Sequence, residues 1–179
     1  MYGIRWRSLA AVAATAALAV VLSGCTTSGA ATDNAGASTL TIARAADASS
    51  LDLTTSFDNN SIWPMQQVME TLFNVSEDGT EVVPWLAESY TISDDGLTYT
   101  LSLRDGVTFS NGDPLTAADV KFSLDASTAT GDAGWGYVND PIASVEATDD
   151  STVVITLKRA WAPILATMSL FANAIVPAD

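Results

Sequence analysis

Residues 84–103 read PWLAESYTISDDGLTYTLSL, and the alternation on either side of Asp94-Asp95-Gly96 decides the local fold. Tyr90 and Ile92 alternate with Ser89, Thr91 and Ser93, and Leu97, Tyr99, Leu101 and Leu103 alternate with Thr98, Thr100 and Ser102. A period of two places the apolar set on one face of a strand. Asp-Gly between two such runs signals a hairpin, and three polar residues make its turn a bulged one. Strands are therefore predicted over 88–93 and 97–103.

Downstream, Asn111-Gly112-Asp113-Pro114 has turn chemistry. Thr116 then caps a helix running to about Asp125, with Asp119 in the capping-box position and favourable to the helix dipole. Val120 and Leu124 give that helix an apolar face, with Phe122 less well placed. A second hairpin is predicted from Ala143–Thr148 and Thr152–Leu157 around Asp149-Asp150. A helix over Ala162–Leu170 and a short strand Ala174–Val176 follow.

Upstream, Thr39–Ala43 alternates as a strand, and Thr54–Ser61 is a polar loop. Ile62–Leu72 has helical spacing through Met65, Val68, Met69 and Leu72, with Pro64 fitting the first turn. The methionines read as core packing. Phe73–Val75 is a short strand and Glu77–Thr80 a turn. Helices and strands interleave without strict alternation, so the class is α/β in the broad sense, mixed α+β. The chain stops on an apolar strand with no closing element, which predicts the opening part of a longer protein.

Composition bounds the chemistry. The chain has 179 residues, 21 acidic against 7 basic side chains, and a formal net charge of −14. Such a surface repels phosphate backbones and anionic headgroups, so nucleic acid is not an expected partner. One cysteine and no histidine exclude an internal disulfide, a His/Cys zinc site and any Ser–His or Cys–His nucleophile pair. No metal or cofactor is expected. Carboxylate-only hydrolysis survives formally, but the acids cluster in turns such as Asp94-Asp95, where solvated turn residues belong.

Residues 1–24 have the anatomy of an export signal: Arg5 and Arg7, then an uncharged Ala- and Val-rich run from Leu9 to Leu22. That run is shorter than the roughly 20 residues of a spanning helix. Leu22-Ser23-Gly24-Cys25 follows, an aliphatic residue and two small ones before the only cysteine, and resembles a bacterial lipoprotein signal. Lipidation at Cys25 would supply the paired acyl chains that stable anchoring needs. Residues 25–38 then form the lipidated cysteine and a flexible Thr/Ser/Gly/Ala-rich tether, and 39–179 the folded part.

The run Pro84–Tyr90 followed by Ser93–Val120, PWLAESY and SDDGLTYTLSLRDGVTFSNGDPLTAADV, closely resembles the signature of the peptide/nickel-type (family 5) extracellular solute-binding proteins of bacterial ABC importers. Ser50-Leu51-Asp52, Thr152–Leu157 and Ile175-Val176-Pro177 extend the likeness, although Leu53 stands where the family usually has Pro. The resemblance implies an incomplete first lobe of a two-lobed, periplasmic-binding-protein-like fold with an appended small subdomain. The signature would lie in that subdomain, where its Asp-Gly turns, the Asp119 cap and Arg104, free to pair with nearby acids, serve structure. Trp85 and Trp161 are assigned to packing.

By the same resemblance, ligand contacts are expected from the loop after the first strand, through Phe57, Asp58 and Asn59. Phe57 would wall a pocket, Asp58 receive a cationic group, and the backbone pair with an extended ligand. A second candidate is Gly134-Trp135-Gly136-Tyr137, where Trp135 and Tyr137 offer rigid aromatic surface. An exposed surface loop and an aromatic loop anchor would carry the same residues. The implied function is a lipid-anchored binding component on the extracytoplasmic face of the cell membrane. It would capture peptides or similar small solutes for ABC permease subunits, with no catalysis. A ligand sensor on the same fold is the alternative.

Overall fold

The computed structural model describes residues 40–178, which fall into two units divided after Ile42. The signal segment, Cys25 and the tether lie outside the described residues, as does Thr39. Residues 40–43 carry no strand, contrary to the alternation. A strand needs a ladder partner, and among the described residues none pairs with them.

In the second unit the first element is α1 (Asn59–Val68). It starts earlier and ends earlier than its apolar spacing predicts, because Asp58 caps it and Met69 turns to extended backbone. Pro64 consequently sits inside the helix and leaves the Asn60 carbonyl without its usual i+4 donor. The Arg44 guanidinium donates to that carbonyl instead. Met65 is buried, Val68 is exposed, and Leu72 is buried beyond the helix.

Short strands β1 (Phe73–Val75) and β2 (Val82–Pro84) pair antiparallel. The main sheet follows: β3 (Ala87–Ile92) and β4 (Thr98–Leu103), then, after α2 (Ala117–Ala129), β5 (Ile142–Ala147) and β6 (Thr152–Leu157). Its order is β3-β4-β6-β5 and every neighbour is antiparallel. Both predicted hairpins are present. Gly96 takes the left-handed φ of 70° that the first turn requires, while the ladder irregularity lies at the far end, between Ala87 and Ser89. Aspartates organise the turns by accepting from nearby hydroxyls and N–H groups: Asp95 from Ser93 and Leu97, Asp149 from Ser151.

The pleat sorts the sheet. Tyr99, Leu101 and Leu103 of β4 and Val153, Ile155 and Leu157 of β6 face inward, and Ala117, Val120 and Leu124 of α2 close over them. Each of the buried Val, Leu and Ile side chains contributes about 1.5–3 kcal/mol through burial. A separate small cluster joins Leu53, Met65 and Ala174, with Met69, Phe171 and Val176 against it. The C-terminal segment is less regular than its pattern predicts. The expected helix shrinks to α3 (Ile164–Thr167), and 174–176 forms no strand; Ile175 N–H donates to the Glu70 carbonyl, and Val176 N–H to the Ser123 hydroxyl of α2. Packing fixes both: Ile164, Met168 and Ile175 are all buried in the main core.

Arg104 pairs with no acid among the described residues; its Nε donates to the Trp85 carbonyl at 3.0 Å. Trp85 is 45% exposed rather than packed, whereas Trp161 does lie against the core.

The α2 cap is present as expected. The Asp119 carboxylate accepts the Thr116 N–H at 2.8 Å and its hydroxyl at 2.7 Å, and also the Ala178 N–H at 3.0 Å. Burial alone would raise its pKa, but the Ala178, Thr116 hydroxyl and Thr116 backbone hydrogen bonds outweigh it and hold the group below the usual carboxylate range. A lowered folded pKa means stability that is present at neutral pH and lost as pH falls through the folded value. Asp119→Asn is therefore expected to cost about 1–2 kcal/mol at pH 7. The gap from wild type should begin to narrow as pH falls past the ordinary carboxylate value of about 4 and should close as it falls through the lower folded value. Thermal melts of both proteins across that range check this; a gap that widens on acidification contradicts it.

Candidate binding site

The loop after Leu53 is shaped by Asp52. Its carboxylate accepts the Thr54 N–H at 2.9 Å and the Thr54 and Thr55 hydroxyls at 2.7 and 2.8 Å, and these hydroxyls depress its pKa. The Ser56 N–H and hydroxyl both return to the Asp52 carbonyl. So wound, the loop projects Phe57 outward, 56% exposed. Asp58 follows at the head of α1. One oxygen accepts the Ser61 N–H, the other the Ser49 and Ser61 hydroxyls, and these bonds, the Ser49 hydroxyl foremost, lower its pKa. The carboxylate is thereby held as a helix cap. Asn59 is the first helical residue and is exposed.

The second candidate segment is placed by the end of α2. Gly131, with φ of 50°, ends the helix in a left-handed turn. The chain then makes two 3₁₀ turns, Gly131–Ala133 and Trp135–Asn139. This carries Trp135 onto the first loop. Its N–H donates to the Thr54 carbonyl at 2.9 Å and its indole Nε1 to the Ser56 carbonyl at 2.7 Å. Its ring stacks on Phe57 with centroids 5.0 Å apart and planes 25° apart, and lies 5.9 Å from Tyr137. Phe171 meets the same indole edge-on at 5.0 Å. Glycine at 134 allows the approach, since a Cβ there would lie 2.3 Å from the Thr54 carbonyl oxygen.

The two segments singled out in the sequence, 78 residues apart between Phe57 and Trp135, therefore form one surface. Phe57 and Tyr137 offer exposed rings around a half-buried Trp135 that is bonded at both nitrogens. Aromatic faces so oriented suit an apolar or planar ligand group. Among the described residues, no hydrogen bond uses the Phe57 backbone, and no cluster of three or more His, Cys, Asp or Glu could hold a metal ion.

Three contributors carried no sequence signal. Phe171 lay beyond the predicted helix. Asn139 and Asn173, both fully buried, exchange amide hydrogen bonds at 2.8 and 3.0 Å. Asn139 also donates to the Ser127 hydroxyl of α2, and Asn173 to the Thr167 carbonyl of α3. This pair fastens the Trp135 turn to the segment bearing Phe171.

Comparison with known proteins identifies the frame. The family model for bacterial extracellular solute-binding proteins, family 5, middle part, matches residues 81–179. The chain belongs to the family 5 solute-binding proteins. It is 42% identical over 92 residues to the glutathione-binding protein GsiB of Escherichia coli, covering 51% of this chain and 18% of that protein. It is 37% identical over 112 residues to the nickel-binding periplasmic protein of E. coli K12, covering 62% and 21%. The solved structure of the ABC transporter-associated periplasmic binding protein DppA from Helicobacter pylori, in complex with the peptide STSA, superposes with a TM-score of 0.63. That match has 33% identity and covers 75% of this chain and 30% of the other. The chain thus spans about a fifth of the length of the curated relatives it matches. Membership bears out the expectation of a binding protein rather than an enzyme, and the mixed helix-and-sheet class of a solute-binding fold.

Proposed function

We propose that this chain is the first-lobe part of a solute receptor for an ABC importer. It takes a peptide or peptide-like solute against the Phe57–Trp135–Tyr137 surface. The observation that carries this reading is the stack of Phe57 on Trp135, which joins two distant segments into one exposed aromatic platform. The unused backbone of Phe57 suits pairing with an extended main chain. Asn59 borders the platform as a polar contact. Asp58 acts from its cap, adding negative potential near a cationic ligand group. The peptide class draws support from the glutathione and tetrapeptide named for two of the similar proteins. Delivery to permease subunits follows from the family's place in ABC import.

Calorimetry on the mature receptor containing this chain, against short peptides, tests the platform. Phe57→Ala is expected to weaken binding about tenfold. Phe122→Ala, which removes an exposed ring from α2, should leave binding unchanged. Equal affinity for the Phe57 variant and wild type sinks this reading.

We further propose that Cys25 is lipidated, leaving residues 1–24 as a cleaved signal and 25–38 as a tether on the extracytoplasmic face. The support is the Leu22-Ser23-Gly24-Cys25 run beneath an uncharged segment. Cys25→Ala is expected to move the protein from the membrane fraction to the soluble one and to abolish acyl labelling. Retention of both would refute anchoring at this residue.

A further inference from the structure

Beside the aromatic platform, a groove of about 350 Å³ opens between the Trp135–Asn139 turn and the segment after β6. Tyr137, Val138, Pro141, Trp161 and Leu170 line it, together with Arg159 and the Asp140 beside it. Tyr137 belongs to both surfaces, so the groove continues the platform.

The charge at this place is unusual for the chain. In a protein of net charge −14, Lys158 and Arg159 are adjacent cations beside a single acid, Asp140. Asp140 satisfies neither fully: Arg159 Nη1 lies 3.5 Å from one oxygen and Lys158 Nζ 3.8 Å from the other. Lys158 donates instead to the Asp140 carbonyl at 2.7 Å. Among the described residues Arg159 makes no other side-chain hydrogen bond, so most of its donor fork is available. A guanidinium takes a carboxylate in a bidentate pair at about 2.7–2.9 Å, far better geometry than its present contact.

We propose that the groove is a subsite for a carboxylate borne on an apolar or aromatic body, with the body between Tyr137 and Trp161 and the carboxylate on Arg159. In a peptide solute that group would be the C-terminal residue. The assignment to a peptide rests on the reading of the platform above; the carboxylate chemistry does not.

Titration of the chain with 3-phenylpropionate, followed by amide and indole NMR shifts, tests it. Saturable shifts are expected at Tyr137, Trp161 and Arg159, with 3-phenylpropionamide binding roughly tenfold more weakly. Arg159→Gln should erase the preference for acid over amide, and Arg159→Lys should retain part of it. Equal binding of acid and amide, a preference that survives Arg159→Gln, or no saturable shift at Trp161 each overturn the proposal. The two readings fail separately. Shifts confined to Phe57 and Trp135 leave the platform standing without the subsite. A Phe57→Ala receptor that binds peptides normally, with the Arg159 preference intact, does the reverse.

Discussion

Replacing Gly136 by alanine is expected to abolish the binding surface and to cost at least about 3 kcal/mol of stability, near the top of what overpacking does. The backbone at Gly136 has no unusual requirement for φ; the constraint is space. A Cβ at this position would stand 2.4 Å from the Gly131 nitrogen, 2.7 Å from the Thr128 carbonyl oxygen and 2.8 Å from that of Ser127. All three are backbone atoms at the end of α2, so no side chain can swing aside. The turn must lift away, breaking the bond from Gly136 N–H to the Thr130 hydroxyl. Trp135 moves with it and loses the Thr54 and Ser56 carbonyls together with the Phe57 stack. A drop in melting temperature together with loss of the peptide affinity that Phe57 supports is the expected result. Native melting and native affinity in Gly136→Ala would mean that the turn is not seated as described.

The glycines flanking Trp135 also show how far the sequence could be read. Alternation around short acidic turns made both hairpins legible, with Asp95-Gly96 adding a left-handed turn residue to the first, because these are local properties. The α2 cap was legible for the same reason. What failed was register decided at a distance. α1 begins at Asn59 because Asp58 finds Ser49 and Ser61, and it accommodates Pro64 because Arg44 reaches the Asn60 carbonyl. Ser49 and Arg44 lie outside any helical window, whereas Ser61 stands at the ordinary cap spacing from Asp58. Residues 174–176 look like a strand, yet they are held by core burial of Ile175, its bond to the Glu70 carbonyl and the bond from Val176 N–H to the Ser123 hydroxyl. At the site, the two aromatic segments could each be singled out from composition and resemblance. Their meeting could not, because it depends on Gly134 fitting beneath the Thr54 carbonyl. Asp58 shows a role the resemblance did not indicate: its oxygens also cap α1.

Asn139→Leu is expected to destabilise the protein by about 2–3 kcal/mol, although leucine is close in size and better suited to a core by hydrophobicity. The reason is the partner left behind. Asn173 is 1% exposed and its Oδ1 accepts only from Asn139 among the described residues, so it would become a buried acceptor without a donor. One of its amide hydrogens would lose the Asn139 oxygen, keeping only the bond to Thr167. Asn173→Leu should cost a similar amount by the mirrored loss. Removing both amides together is expected to cost less than the sum of the two single changes, because no orphaned partner then remains to be paid for twice. Chemical denaturation of the two single variants and the double variant measures the coupling. Strict additivity would show that the amides do not depend on each other. The same series reports on the site, since the pair ties the turn carrying Trp135 to the segment carrying Phe171. If it acts as a clamp, the double variant should recover stability without recovering the fixed Trp135–Phe171 edge contact. Indole fluorescence would then stay more mobile than in wild type while the melting temperature rises back toward it.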